Sequence, residues 1–107
     1  MTAPLARLEL SIDHDGCTTA SLIGEIDLSN AAGMEQQLVH VTQHINALTL
    51  DLTGLDYLDS QGVAIIQRLA DRHTNGDLLL SILATPDSIV NDVLTITHIA
   101  HSLRAAN

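Results

Sequence analysis

Lysine, phenylalanine and tryptophan are all missing from this 107-residue chain, and Tyr57 is its only aromatic residue besides the histidines. Without Phe or Trp the interior must be filled by Leu, Ile, Val and Ala. A stacking platform for single-stranded nucleic acid has no aromatic faces to be built from. Cations are scarce too: Arg7, Arg68, Arg72 and Arg104 stand against thirteen acidic residues, for a formal charge of −9. That balance excludes a phosphate-backbone binder, which needs a basic surface, and an anionic membrane face. It suits steering toward a basic partner, although the same charge also serves plain solubility. Cys17 is the one cysteine, so no intrachain disulfide is possible and a reducing compartment is expected. No apolar stretch approaches the length that spans a bilayer, and Met1 to Leu5 is too short and polar for a signal peptide. A cytoplasmic protein without membrane insertion is the expectation.

Catalytic signatures are equally scarce. The six glycines are isolated, so there is no glycine-rich phosphate loop, and no Ser-His-Asp arrangement follows from spacing. His40 and His44 are four apart and can share a helix face, a spacing that suits zinc, yet no third ligand is spaced to join them. No enzyme, no metal site and no cofactor are expected. Nothing around Cys17 marks an activated thiol.

What is present is a regular alternation of elements. Leu8, Leu10 and Ile12 alternate with Glu9 and Ser11, the period of a strand with one buried face. His14-Asp15-Gly16 marks a turn, and a second strand is expected from Cys17 to Leu28, with Gly24 marking a bulge or a close backbone approach. Ser29 is placed to cap a helix starting at Asn30, whose apolar stripe is Met34, Leu38 and Val41. Ala47 to Leu52 forms a third strand, and Thr53 to Leu58 a turn and a short extended approach. Asp59-Ser60-Gln61-Gly62 opens a second helix with Val63, Ile66, Leu69 and Ala70 on one face, stopped at Thr74-Asn75-Gly76. Leu78 to Leu83 is continuous enough to be a buried central strand. Thr85 and Pro86 suit a cap and a first helical turn before a helix through Ile89, Val90, Val93, Leu94 and Ile96, and Arg104 to Asn107 are expected to fray. The order predicts an α/β fold, a mixed sheet covered mainly on one face by helices. One domain is expected over 1–107, with its core at about 6–103.

Two segments can carry function. Ser60 falls at a helix N-terminus, where free N–H groups and partial positive charge favour a phosphate; the same placement also suits an ordinary capping serine. Glu25-Ile26-Asp27 closes the second strand, either as a solvated loop edge or as a receiver for a partner's Arg or Lys.

The whole chain resembles the STAS domain. The likeness rests on Gly24-Glu25-Ile26-Asp27-Leu28 and, more specifically, on the run Leu50 to Ala64 containing Leu58-Asp59-Ser60-Gln61-Gly62-Val63. The resemblance to its anti-sigma factor antagonists implies that Ser60 is a phosphorylation site. It implies that the unphosphorylated protein binds an anti-sigma factor serine kinase with an ATP-binding, histidine-kinase-like fold, and that a PP2C-type phosphatase restores that form. The implied partner surface is Glu25, Asp27, Asp59, Ser60, Gln61, Gly62 and Val63. STAS domains also serve as small subunits of lipid-transport ABC systems and as scaffold components of stress-signalling assemblies, which stand as alternatives. The chain departs from many phospho-regulated members at Gln61, where a small hydroxyl residue is usual, and at Ala64, where glycine is usual. A monomer is expected, because no long exposed apolar run is visible.

Overall fold

A computed structural model describes residues 6–12 and 16–104. The hairpin turn predicted at His14-Asp15 and most of the C-terminal residues expected to fray lie outside the described residues. Strands β1 (Ala6–Ile12) and β2 (Thr18–Ile26) pair antiparallel, from Ala6 opposite Gly24 to Ile12 opposite Thr18. The chain then alternates helices and strands: α1 (Ala31–Thr42), β3 (Ala47–Asp51), β4 (Leu55–Leu58), α2 (Ser60–Thr74), β5 (Leu79–Ala84), α3 (Ile89–Ile96) and the two-residue β6 (Ser102–Leu103). The sheet runs β1-β2-β3-β5-β6, and every pairing after the first hairpin is parallel. This is the mixed α/β arrangement that the element order predicts.

Strand β2 serves two parallel partners along one edge. Its first half pairs with β3, ending at Ser21 opposite Asp51; its second half pairs with β4, beginning at Gly24 opposite Leu55. Between them the chain turns through Thr53-Gly54. The register shifts at Gly24/Glu25, and Gly24 takes φ +103, a left-handed region that disfavours side chains. Its N–H donates to the carbonyl of Gly54 at 3.1 Å. The glycine thus marks the bulge expected of it. The short extended approach at Leu55 to Leu58 is a sheet strand in its own right.

Burial follows the two-residue period. Ala20 and Leu22 on β2, Leu48 and Leu50 on β3, and Ile82 and Ala84 on β5 all lie within the core, on one face of the sheet. They meet Met34 and Leu38 of α1 and Ile65, Ile66 and Leu69 of α2. The two helices are tied together at their surface: Arg68 donates to both carboxylate oxygens of Glu35, at 2.5 and 2.7 Å, and Arg72 donates to the Thr42 hydroxyl at 2.6 Å.

The Arg68 guanidinium, through its hydrogen bonds, holds the Glu35 carboxyl below its ordinary range. A lowered folded value adds stability above the unfolded carboxylate value and loses it as pH falls through the folded one. The stability difference between wild type and Glu35→Gln is therefore expected to shrink on acidification below about pH 4. Thermal melts of both proteins across that range check this, and the effect should be small because Arg68 is well exposed.

Three local expectations are corrected. Ser29 does not cap α1: its N–H and hydroxyl both donate to Asp27 Oδ1, at 2.9 and 2.6 Å, and Asn30 takes the N-cap position with no side-chain capping bond. Thr85 does not cap α3; its hydroxyl donates to the carbonyl of Thr53, and Ser88 caps instead, its oxygen accepting from the Asn91 N–H at 3.0 Å. Nor is β5 a fully buried strand. Among the described residues its neighbour on one side is only two residues long, and helices cover one face, so Leu79 stays 68% exposed.

Candidate functional site

Strands β2, β3, β4 and β5 are parallel, so their C-terminal ends, and the N-termini of the helices that follow, gather along one edge of the sheet. At that edge Ile26 pairs with Leu58, and the Asp59 N–H donates to the Ile26 carbonyl at 3.1 Å. The residues after these two positions, Asp27 to Asn30 and Asp59 to Gly62, are thereby held side by side.

The α2 end is built around Asp59. Its backbone is extended, and its Oδ1 accepts from the N–H groups of Gln61 at 2.9 Å and Gly62 at 3.2 Å. Asp59 is therefore the N-cap, and Ser60 is the first helical residue. The ordinary-cap explanation for Ser60 falls away: its side chain is exposed, and its hydroxyl makes no hydrogen bond to a described residue. Two of the donors expected to hold a phosphate on Ser60, the Gln61 and Gly62 N–H groups, are already occupied by the Asp59 carboxylate.

Gly62 sits beneath, buried against the sheet. A Cβ there would stand 2.4 Å from Leu58 Cδ1 and 3.1 Å from Ile26 Cγ2. Glycine lets the first turn of α2 settle on the ends of β2 and β4. Gly62→Ala should therefore destabilise the fold by about 1–2 kcal/mol, the overpacking outweighing the gain in helix propensity. Urea unfolding of the variant measures it.

The β2–α1 segment is a knot of local bonds. Asn30 Oδ1 accepts from the Asp27 N–H at 3.0 Å, and its Nδ2 donates to the Glu25 carbonyl at 2.9 Å. The Ser29 hydroxyl and N–H on Asp27 lower that carboxyl below its usual range. Asp27 thus stays ionised, and the loop presents Leu28 outward at 76% exposure.

Of the residues picked from sequence, Asp27, Asp59, Ser60 and Gln61 meet at this edge. Glu25 is exposed but pairs with Tyr57, so it faces opposite to Ile26. Val63 is half-buried on α2. Two residues escaped sequence reasoning. Leu28 lies in the loop two residues past the end of β2, and nothing in the pattern shows that its side chain emerges. Asn30 fits a helix start in type only, and its bridge across the loop has no periodic signal.

Among the described residues, no group of three or more His, Cys, Asp or Glu is placed to hold a metal ion. The rings of His40 and His44 do meet, edge to face at 5.4 Å. No helix among the described residues is long and apolar enough to cross a membrane.

Comparison with known proteins gives a consistent picture. The STAS domain family profile matches residues 11–107. The anti-sigma-F factor antagonist RsfB of Mycobacterium tuberculosis is 33% identical over 73 residues, covering 67% of this chain and 60% of RsfB. The chain thus spans less than two thirds of that relative's length. Among solved structures, an anti-sigma factor antagonist from Mycobacterium paratuberculosis superposes with a TM-score of 0.74 at 26% identity, covering 92% of this chain and 84% of the other. Unphosphorylated SpoIIAA superposes at 0.72 with 14% identity, covering 94% and 89%; at that identity the likeness speaks for the fold.

Proposed function

The chain belongs to the STAS domain family, and on that premise we propose that it is an anti-sigma factor antagonist in a partner-switching pathway, working in the cytoplasm. In the unphosphorylated form it binds an anti-sigma factor that is also a serine kinase. The kinase transfers the γ-phosphoryl group of ATP to Ser60 Oγ: the new O–P bond replaces the bond to ADP, and the hydroxyl proton leaves to solvent or to a kinase base. Catalysis belongs to the partner, and this chain is the acceptor. Phosphorylated protein is released, and a PP2C-type phosphatase hydrolyses the ester to reset it.

The observation that carries this reading is Ser60 as an exposed first-turn residue whose capping duty is done by Asp59. A hydroxyl committed to a cap would have to leave its bonds before meeting a nucleotide, whereas this one needs only alignment with the partner-bound ATP. The surroundings explain release. Phosphate brings nearly two negative charges to a position flanked by Asp59 and close to Asp27. The Gln61 and Gly62 N–H groups already serve Asp59. The added charge is thus left facing the partner, which must desolvate or repel it on closing. No refolding is required.

Titration calorimetry of the purified chain, with and without phosphate on Ser60, against a serine-kinase anti-sigma factor from the same genome tests the reading. Tight binding of the unmodified form alone supports it. Equal affinity of the two forms sinks it.

A further inference from the structure

The two edges of the sheet are unlike. One ends in β6, only two residues long, and a very short edge strand is a common protection against unwanted pairing. The other is β1, seven residues long, in unbroken register with β2 and with no other partner strand among the described residues. It holds no proline, no lysine and no bulge, three of the devices by which edges are blunted, and its two charged side chains, Arg7 and Glu9, pair with each other.

Its apolar side chains are also partly uncovered. Leu8, Leu10 and Ile12 pair with Leu22, Ala20 and Thr18, so they extend the buried face of the sheet. The helical layer stops short of the strand's far end: Leu8 is half-buried, while Leu10 is 52% and Ile12 72% exposed. The expectation of a monomer rested on the lack of an exposed apolar run. Alternating residues on an edge strand make a patch without making a run.

We propose that a second copy of this chain pairs with β1, antiparallel about a two-fold axis through Leu10. Charge and register select that occupant. The chain carries −9 overall, yet β1 is locally neutral, because Arg7 donates to Glu9 at 2.9 Å. Two copies can therefore meet along β1 with little local repulsion. Centring on Leu10 sets Leu8 opposite Ile12 of the other copy and Ile12 opposite Leu8, so all three apolar residues of each copy face their counterparts, and Glu9 falls opposite Ser11. Centring on Glu9 would oppose two carboxylates, which is unfavourable across a strand pair. Centring on Leu8 would leave Ile12 beyond the paired stretch. The two-fold axis keeps both helical layers on the same side of one continuous sheet, and Ser60 lies at a different edge.

Sedimentation equilibrium of the full chain over a range of concentration is the test. A monomer–dimer equilibrium that tightens with added salt is expected, since salt screens the repulsion between two acidic copies. Leu10→Lys, at a position exposed in the single copy, should raise the dissociation constant by roughly tenfold or more with an unchanged circular dichroism spectrum. In a Cys17→Ser background, Leu10→Cys should oxidise to a linked dimer, because opposed Cα atoms about 4.5–5.5 Å apart suit a disulfide; Glu9→Cys should link far more slowly. A monomer at every concentration, a Leu10→Lys protein that dimerises like wild type, or equal linking at Glu9 and Leu10 would each overturn the proposal. None of these outcomes bears on Ser60.

Discussion

Ser60→Ala is expected to bind the partner kinase as tightly with ATP present as without it, while wild-type protein dissociates once ATP is added. The fold should be unchanged, because the Ser60 hydroxyl bonds no described residue: the α2 cap is Asp59, and Gly62 is what lets this turn pack on Leu58 and Ile26. Loss of about 3 kcal/mol on phosphorylation would weaken binding more than a hundredfold, and a doubly charged group beside Asp59 is a sufficient cause. Ser60→Asp should fall between the two, since one carboxylate brings half the charge and a different shape. Competition binding with all three proteins checks the order. An Asp variant that binds like the Ala variant would show that charge at this position is not what the partner senses.

The second large effect is on stability. Leu50 is the fourth of the five residues of β3, wholly buried between β2 and β5 and packed in the core with the helices. Leu50→Ala should cost about 3 kcal/mol, within the usual range for a fully buried leucine. That is a large share of the roughly 5–15 kcal/mol available to a domain of this size. With no Phe or Trp in the chain, the leucines that meet at this point have no large aromatic neighbour to fill the space. Urea denaturation should show a lower midpoint with an unchanged slope. A midpoint close to wild type would mean that the core closes around the gap.

These residues also show where sequence reasoning succeeds. The apolar period of α2 and the glycine at position 24 are set by local sterics, so their residue types announce them. Burial at Leu10 and Ile12 is different. Alternation shows which side chains share a face, but only the reach of the neighbouring helices decides whether that face is covered. Capping failed for a related reason. Asp59 and Ser60 are both good N-caps, as are Ser29 and Asn30, and the choice depends on which residue leaves helical backbone. At α2 that is set by the pairing of Leu58 with Ile26, a contact between distant parts of the chain. The motif around Ser60 was legible as a motif; that its hydroxyl is spared by Asp59 was not.

The proposed switch turns on Ser60 as its phosphoryl acceptor. Intact-mass spectrometry of the protein from its own cells, with site localisation and a matched Ser60→Ala sample, tests it most directly. One phosphate-sized addition is expected, confined to Ser60, changing with growth or stress and missing from the alanine variant. An unmodified mass under all conditions, or a phosphate at another residue, would contradict it.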